Sequence, residues 1–314
     1  MDLPIGTSYE EICEKFAWDI PTHFNIADAV CDRWAEDTRR IAMTHESLDG
    51  SISEYSFAQI KAYSNQLANL FGELGLQSGD RVLVMLTQSP ECAISHIGCF
   101  KAGIVSCLAS VLFGPDAVKH RLLGSSAKVC ITNRANLGKI TEVMDQCPSL
   151  EHIIVTDENA PNQALSFWKA LQEQSTSFIN KATRAEDTAW ISYTSGTTGR
   201  PKGTHLPPTM FAGGDTMAEH IDGMKKNRFA EFGTHLVVGP MYHTGPLNGM
   251  RLLVCGIPMV ILNKFDAQGT LEAIAAYRTE SSVMVPTHFV RLLALPADIR
   301  NKYDLSSMKL VAHT

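Results

Sequence analysis

No CxxC pair occurs among the eight cysteines, which stand singly at positions 13, 31, 92, 99, 107, 130, 147 and 255, and no histidines gather at metal-ligand spacing. That excludes a zinc ribbon or a dithiol redox centre, and several of these cysteines sit in apolar runs where a thiol acts as a small hydrophobe. Reduced thiols, and hence a cytoplasmic protein, are the expectation. Clustered basic residues are also missing. The formal net charge is −6, and the nearest basic group, Lys225-Lys226-Asn227-Arg228, reads as a solvated turn, so binding along a nucleic-acid backbone is excluded. The opening "MDLPIGTSYEE" is acidic and lacks the basic-then-apolar layout of a secretory leader. Two apolar stretches, 92–113 and 236–262, fall short of a membrane span: Lys101, His96 and two glycines interrupt the first, and Pro240, Pro246, Pro258 and Arg251 the second. Repeats and low-complexity tracts are absent as well.

What is present is alternation. Residues 1–50 read as helical and irregular, with Ile26, Val30 and Trp34 on one helix face. Residues 55–75 form a second amphipathic pattern, with Ser56 as N-cap and Gly75 as the stop. Continuous apolar runs at 80–86, 103–109, 127–132, 151–157, 188–194, 235–240, 258–263 and 281–286 suit strands buried on both faces. Helix-length segments near 90–102, 114–124, 134–146 and 266–279 lie between them. Strands alternating with helices imply right-handed crossovers. The expected fold is α/β, with largely parallel sheets flanked by helices in two stacked subdomains. The first is expected over 1–165 with a helical N-terminal arm, the second over 166–314, and the polar stretch 158–187 is expected to connect them.

The strand at 188–194 runs without a break into "TSGTTGRPKG". Gly196 and Gly199 can adopt φ > 0 and let backbone approach a ligand. Successive N–H groups in such turns form an anion-binding concavity. Thr194, Ser195, Thr197 and Thr198 add hydroxyl donors, and Lys202 a mobile charge suited to phosphate. Pro201 fixes one φ and keeps Arg200 out of the helical region, so the loop is partly pre-shaped. Pro201 and Gly203 flank the lysine where a Walker A loop needs Gly and Ser or Thr, and no GxGxxG follows a strand. A surface turn of the same composition is the competing reading. His243 lies at the end of the 235–240 run, where α/β sheets bind ligands, although a hydrogen-bonded core histidine would look alike. His288 and Phe289 are weaker pocket candidates with ordinary core packing as the alternative.

"YTSGTTGRPKG" resembles the phosphate-binding signature of the AMP-forming adenylating superfamily, which includes acyl-CoA synthetases, aryl-CoA ligases, luciferases and peptide-synthetase adenylation domains. "WDIPTHFNIADAVCDRWA", "SNQLANLFGELGLQSGDRVLVML", "PMYHTGPL" and "VMVPTHFVRLL" resemble further family segments, so the similarity runs from about residue 16 to the last residue. The resemblance implies an acyl-CoA synthetase: ATP and a fatty or other hydrophobic acid give acyl-AMP and pyrophosphate, and coenzyme A then takes the acyl group. It implies that Thr194, Ser195, Gly196, Thr197, Thr198, Gly199, Arg200, Pro201 and Lys202 hold the ATP phosphates, with Mg²⁺ touched by Thr194 or Ser195. It also implies that Tyr242, His243, His288 and Phe289 line the acid pocket, His243 and Lys202 acting at the reacting groups. The partners it implies are small molecules, with the oligomeric state open. The family's adenine turn, its Mg²⁺-binding glutamate, its ribose aspartate and its small C-terminal catalytic domain have no counterpart in these 314 residues. The expectation is therefore an N-terminal piece that holds ATP phosphates without turnover. An enzyme that passes its acyl group to a carrier protein, and a non-catalytic nucleotide-binding protein, are the alternatives.

Overall fold

Parallel pairing between strands separated by helices dominates the computed structural model, which describes residues 8–15, 22–161, 163–184, 186–194, 202–204, 232–242 and 253–313. The strands in chain order are β1 (Ile41–Glu46), β2 (Ile52–Ser56), β3 (Arg81–Met85), β4 (Val105–Leu108), β5 (Val129–Thr132), β6 (His152–Val155), β7 (Leu165–Ser166), β8 (Trp190–Thr194), β9 (Lys202–Thr204), β10 (His235–Val237), β11 (Met259–Leu262), β12 (Ser281–Met284) and β13 (Leu310–His313). The helices are α1 (Tyr9–Lys15), α2 (Ile26–Val30), α3 (Phe57–Glu73), α4 (Pro90–Ala102), α5 (Pro115–Ser125), α6 (Arg134–Thr141), α7 (Phe167–Gln172), α8 (Ala267–Tyr277), α9 (Pro286–Leu293) and α10 (Ala297–Arg300). One sheet has the order β7-β6-β5-β3-β4-β8-β9 and the other β13-β12-β10-β11-β1-β2. The outermost β9 and β2 run antiparallel to β8 and β1, and the remaining pairings are parallel.

Strand alternation sorts the side chains into layers. Val82, Val84, Met259 and Ile261 face a central core shared with α2, α3, α4 and α7. Leu83 and Met85 face the opposite side of the first sheet, against Val118 and Leu122 of α5 and Leu137 and Ile140 of α6. Val260 and Leu262 face the outer side of the second sheet, against Ala273 and Ile274 of α8, with Phe289 and Leu292 of α9 packed on that cluster. The result is five layers, helix–sheet–helix–sheet–helix.

The strands and helices from residue 55 onward lie close to their expected positions. Ser56 caps α3 by accepting from the Gln59 N–H at 3.2 Å, Gln59 returns the contact, and Gly75 follows the helix at φ 81°. The 134–146 segment is α6 followed by a 3₁₀ turn, Met144–Gln146. The apolar stretch 92–113 is α4 and β4: twelve of the thirteen α4 residues are buried, and no helix among the described residues is long and apolar enough to cross a membrane. All eight cysteines are free and six are buried, which pushes the Cys92, Cys107 and Cys130 thiols up to about 12.

Three expectations change. Residues 41–56 are a β-hairpin, closed by Gly50 at φ 80° and by the Asp49 carboxylate, which accepts from the Ser51 N–H at 3.0 Å. Strands on both sides of residue 165 enter both sheets: β1 and β2 join the sheet of β10–β13, while β7, β8 and β9 complete the sheet of β3–β6. Residues 158–187 therefore run from one edge of the first sheet to its far side, as a strap over the central helices. Asn65, Gln66 and Asn69 of α3 donate to the carbonyls of Thr176, Gln174, Ser175 and Ser177 at 2.7–3.2 Å, replacing the ladder bonds the strap lacks.

A buried ion pair closes the same region. Lys101 is fully buried on α4, and its Nζ donates to both Asp32 oxygens at 2.5 and 2.6 Å, while Asn180 of the strap donates to Asp32 at 3.0 Å. Removing one partner strands a charge in the core. Lys101→Met is expected to lower unfolding free energy by about 3–5 kcal/mol in urea titrations; a loss under about 1 kcal/mol, the range of an exposed pair, would contradict it.

Two buried imidazoles set the acid limit. His96 accepts or donates at 2.7 Å with Ser106 Oγ, His235 at 2.9 Å with Ser281 Oγ, and burial pushes each down to about 4 from 6.5. Between these values the unfolded chain binds the extra protons, so the stabilisation is full above pH 6.5 and drains away as pH falls toward 4. His96→Gln is expected to flatten the fall of the urea midpoint between pH 6.5 and 4, where each pKa unit counts for about 1.4 kcal/mol.

Candidate functional site

Because all strands except the outermost β9 and β2 run parallel within their sheets, their carboxyl ends and the loops that follow lie along one edge. In the first sheet that edge carries Ser89, which caps α4 by accepting from the Cys92 N–H, Phe113 after β4, Asn133 capping α6, and the end of β8. In the second it carries Tyr242 after β10, Phe265 after β11 and the start of α9 after β12. Open α/β sheets bind ligands at such ends.

The glycine-rich segment departs from this edge. β8 and β9 pair with Thr194 opposite Lys202, Tyr193 opposite Gly203 and Ser192 opposite Thr204. Both ends of the segment are thus held side by side at the carboxyl end of β8. Ser195, Gly196, Thr197, Thr198, Gly199, Arg200 and Pro201 lie outside the described residues, as does His243. Alternation along β8 sends Trp190 to the central core, 6.4 Å from the Phe100 ring, and Ile191 to the α5–α6 side. Tyr193 shares that second side. Its hydroxyl donates to the Arg121 carbonyl at 3.3 Å, its ring stands 6.1 Å from His120, and Gly124 leaves room for the hydroxyl, where a Cβ would come within 3.0 Å.

The pocket candidates fall on two sides of the second sheet. Tyr242 is half-buried and packs on the central core. His288 stacks on Phe265 at 4.1 Å with the ring planes 13° apart, Arg291 lies 4.8 Å from the centre of the same ring, and Phe289 meets His313 edge-on at 6.3 Å. His288 Nδ1 accepts from the Val285 N–H at 3.4 Å, and burial with the Arg291 charge holds its pKa below the ordinary value. Tyr193, Arg121 and Phe113 were not singled out from sequence; the period of two along β8 was the available signal for Tyr193.

A nucleotide phosphate fits what is described. The segment rich in N–H and hydroxyl donors is anchored at both ends, and Arg121, a buried cation with no carboxylate partner among the described residues, lies against the anchoring strand. For a metal ion, no group of three or more His, Cys, Asp or Glu among the described residues could hold one.

Comparison with known proteins places this arrangement. The family model described as AMP-binding enzyme matches residues 31–313, and the chain belongs to that family, the AMP-forming adenylating enzymes. It is 28% identical over 268 residues to 4-coumarate–CoA ligase 1 of Petroselinum crispum, covering 84% of this chain and 48% of the relative. It is 27% identical over 296 residues to 4-coumarate–CoA ligase 2 of Solanum tuberosum, covering 93% and 52%. The chain spans about half the length of the curated relatives it matches. Among solved structures, the anthranilate CoA ligase AuaEII in complex with anthranoyl-AMP shares the fold with a TM-score of 0.81 at 23% identity, covering 94% of this chain and 56% of that one. ATP-bound MatB from Rhodopseudomonas palustris does so with a TM-score of 0.74 at 24% identity, covering 93% and 55%.

The stacked ring of His288 has a measurable weight. His288→Ala is expected to lower unfolding free energy by about 1 kcal/mol, the range of a ring pair, in urea titration; an unchanged midpoint would mean that the stack does not hold α9.

Proposed function

We propose that this chain carries the nucleotide-phosphate loop of an acid–thiol ligase. The reaction joins ATP and a carboxylic acid to give acyl-AMP and pyrophosphate, after which the coenzyme A thiol displaces AMP and leaves an acyl thioester. The observation that carries the reading is the pairing of Thr194 with Lys202, which sets both ends of "TSGTTGRPK" at the carboxyl edge of a sheet in a chain of the AMP-binding family.

The physical task of the first step is to bring a carboxylate oxygen against the α-phosphorus while pyrophosphate leaves. Two anions must approach, so donors and positive charge aimed at the phosphates lower the barrier, and no covalent protein intermediate is needed. Backbone N–H groups and hydroxyls from Thr194 to Thr198, with Lys202, take the β- and γ-phosphates. Thr194 or Ser195 would contact Mg²⁺, which would supply charge neutralisation for the phosphates. His243 and Tyr242 orient the acid at the end of β10, and His288 and Phe289 wall the pocket from α9. The acid is hydrophobic. Within the fatty or other hydrophobic acids that the family resemblance implied, the relatives named for 4-coumarate and anthranilate favour an aromatic one.

ATP–pyrophosphate exchange by the whole protein that contains this chain tests the reading. Exchange is expected to depend on added acid and to be highest with cinnamate- or benzoate-type acids in a panel that extends to short- and long-chain fatty acids. Lys202→Ala is expected to lower the exchange rate by about 10²-fold, the loss typical of one electrostatic contact to the transition state. Exchange with no acid dependence would sink the proposal. A preference for long-chain acids would replace the aromatic reading alone.

A further inference from the structure

Arg121 on α5 is an unusual buried cation. It is 4% exposed, and its Nη1 donates to the Ala117 carbonyl at 2.9 Å. Its Nε is buried without a hydrogen-bond partner, and no carboxylate pairs with it among the described residues. Two rings take the place of a counter-ion: the guanidinium carbon lies 3.7 Å from the centre of Phe113 and 5.1 Å from that of Tyr193. These rings come from neighbouring strand ends, Phe113 from the segment after β4 and Tyr193 from β8, which pair in parallel. The Arg121 carbonyl also accepts from the Tyr193 hydroxyl. One residue therefore touches Tyr193 through both its side chain and its backbone, one position before Thr194.

An orphaned buried donor costs free energy that a methionine of similar length would avoid. Simple filling of the space between α5 and the sheet does not call for a guanidinium. A planar, weakly hydrated cation does suit a slot between two aromatic faces, and an ammonium cannot copy that stack. Burial lowers the pKa of Arg121 without discharging it.

We infer that Arg121 is a positioning residue of the proposed phosphate site: clamped between Phe113 and Tyr193, its guanidinium plane fixes the end of β8 from which the glycine-rich segment departs. This rests on the phosphate reading of that segment. Arg121 acts through Tyr193, and its effect belongs to phosphate binding rather than to the acid.

The test is binding of inorganic tripolyphosphate to the 314-residue chain by calorimetry, beside urea unfolding of each variant. Arg121→Met and Arg121→Lys are both expected to weaken binding by about tenfold or more, since misplacing a binding group is costly even where charge is retained. Tyr193→Phe, which keeps the ring, is expected to stay within about threefold of the unsubstituted chain, and Tyr193→Leu to behave like Arg121→Met. A destabilised control on the buried face of α6, Ile140→Val, is expected to lower the urea midpoint and leave tripolyphosphate affinity unchanged. Should Arg121→Met not fold, Phe113→Leu removes one face of the clamp with Arg121 in place and is expected to show the same loss. Full affinity in Arg121→Lys with loss only in Arg121→Met would overturn the positioning role in favour of charge alone. Unchanged affinity in all of these variants would overturn the inference and leave the phosphate loop standing. An unsubstituted chain that does not bind tripolyphosphate would overturn both.

Discussion

Two sheets share one layer of helices, and that sharing constrains nearly everything else. A helix on the outside of a sheet needs one apolar stripe, whereas a helix between two sheets must be apolar almost all round. α4 meets that demand with twelve buried residues, among them Gly98, whose missing Cβ would lie 2.9–3.2 Å from Leu67 of α3. The polar groups that remain inside have to be satisfied there. Lys101 takes Asp32, His96 takes Ser106, and the amides of α3 take the carbonyls of the strap. The strap is polar in sequence for that reason: its backbone is paired by side chains, which a strand pattern does not announce.

The same constraint explains what sequence could and could not convey. β3, β5 and β11 are covered on both faces, so each reads as an unbroken apolar run. β2 is an edge strand whose first three residues are exposed, with Ile52 open to solvent, and it offers no such run. Asp49-Gly50 was the local sign of its hairpin. Sheet membership was harder still. β1 lies beside β11 through a register from Met43–Met259 to Glu46–Leu262, a pairing across more than half the chain that no local window contains. A boundary drawn by sequence neighbourhood therefore cannot follow the sheets.

At the candidate site the sequence drew attention to the segment from Thr194 to Lys202, of which the structure describes the two ends, paired across β8 and β9. The supporting contacts were not legible. Arg121 sits in a helix pattern between His120 and Leu122, where an arginine ordinarily faces water, and its burial arises from rings 8 residues earlier and 72 residues later in the chain. His288 and Phe289 carry aromatic chemistry suited to a pocket, yet their neighbours Phe265, Arg291 and His313 show that packing of α9 already engages them. These contacts describe how α9 is held against the outer cluster.

The two buried cations among the described residues show how differently a charge can be accommodated in one fold. Lys101 presents a compact, strongly hydrated ammonium, and only a carboxylate at hydrogen-bond distance offsets its loss of water. Asp32 supplies it, and the pair is electrically closed. Arg121 spreads its charge over a plane, loses less hydration, and is held by the quadrupoles of Phe113 and Tyr193. Ring faces stabilise a cation without cancelling it. A carboxylate partner would compete with the rings for the guanidinium plane and draw it toward itself. With Phe113 and Tyr193 as its neighbours, that plane stays against the end of β8, one position before Thr194.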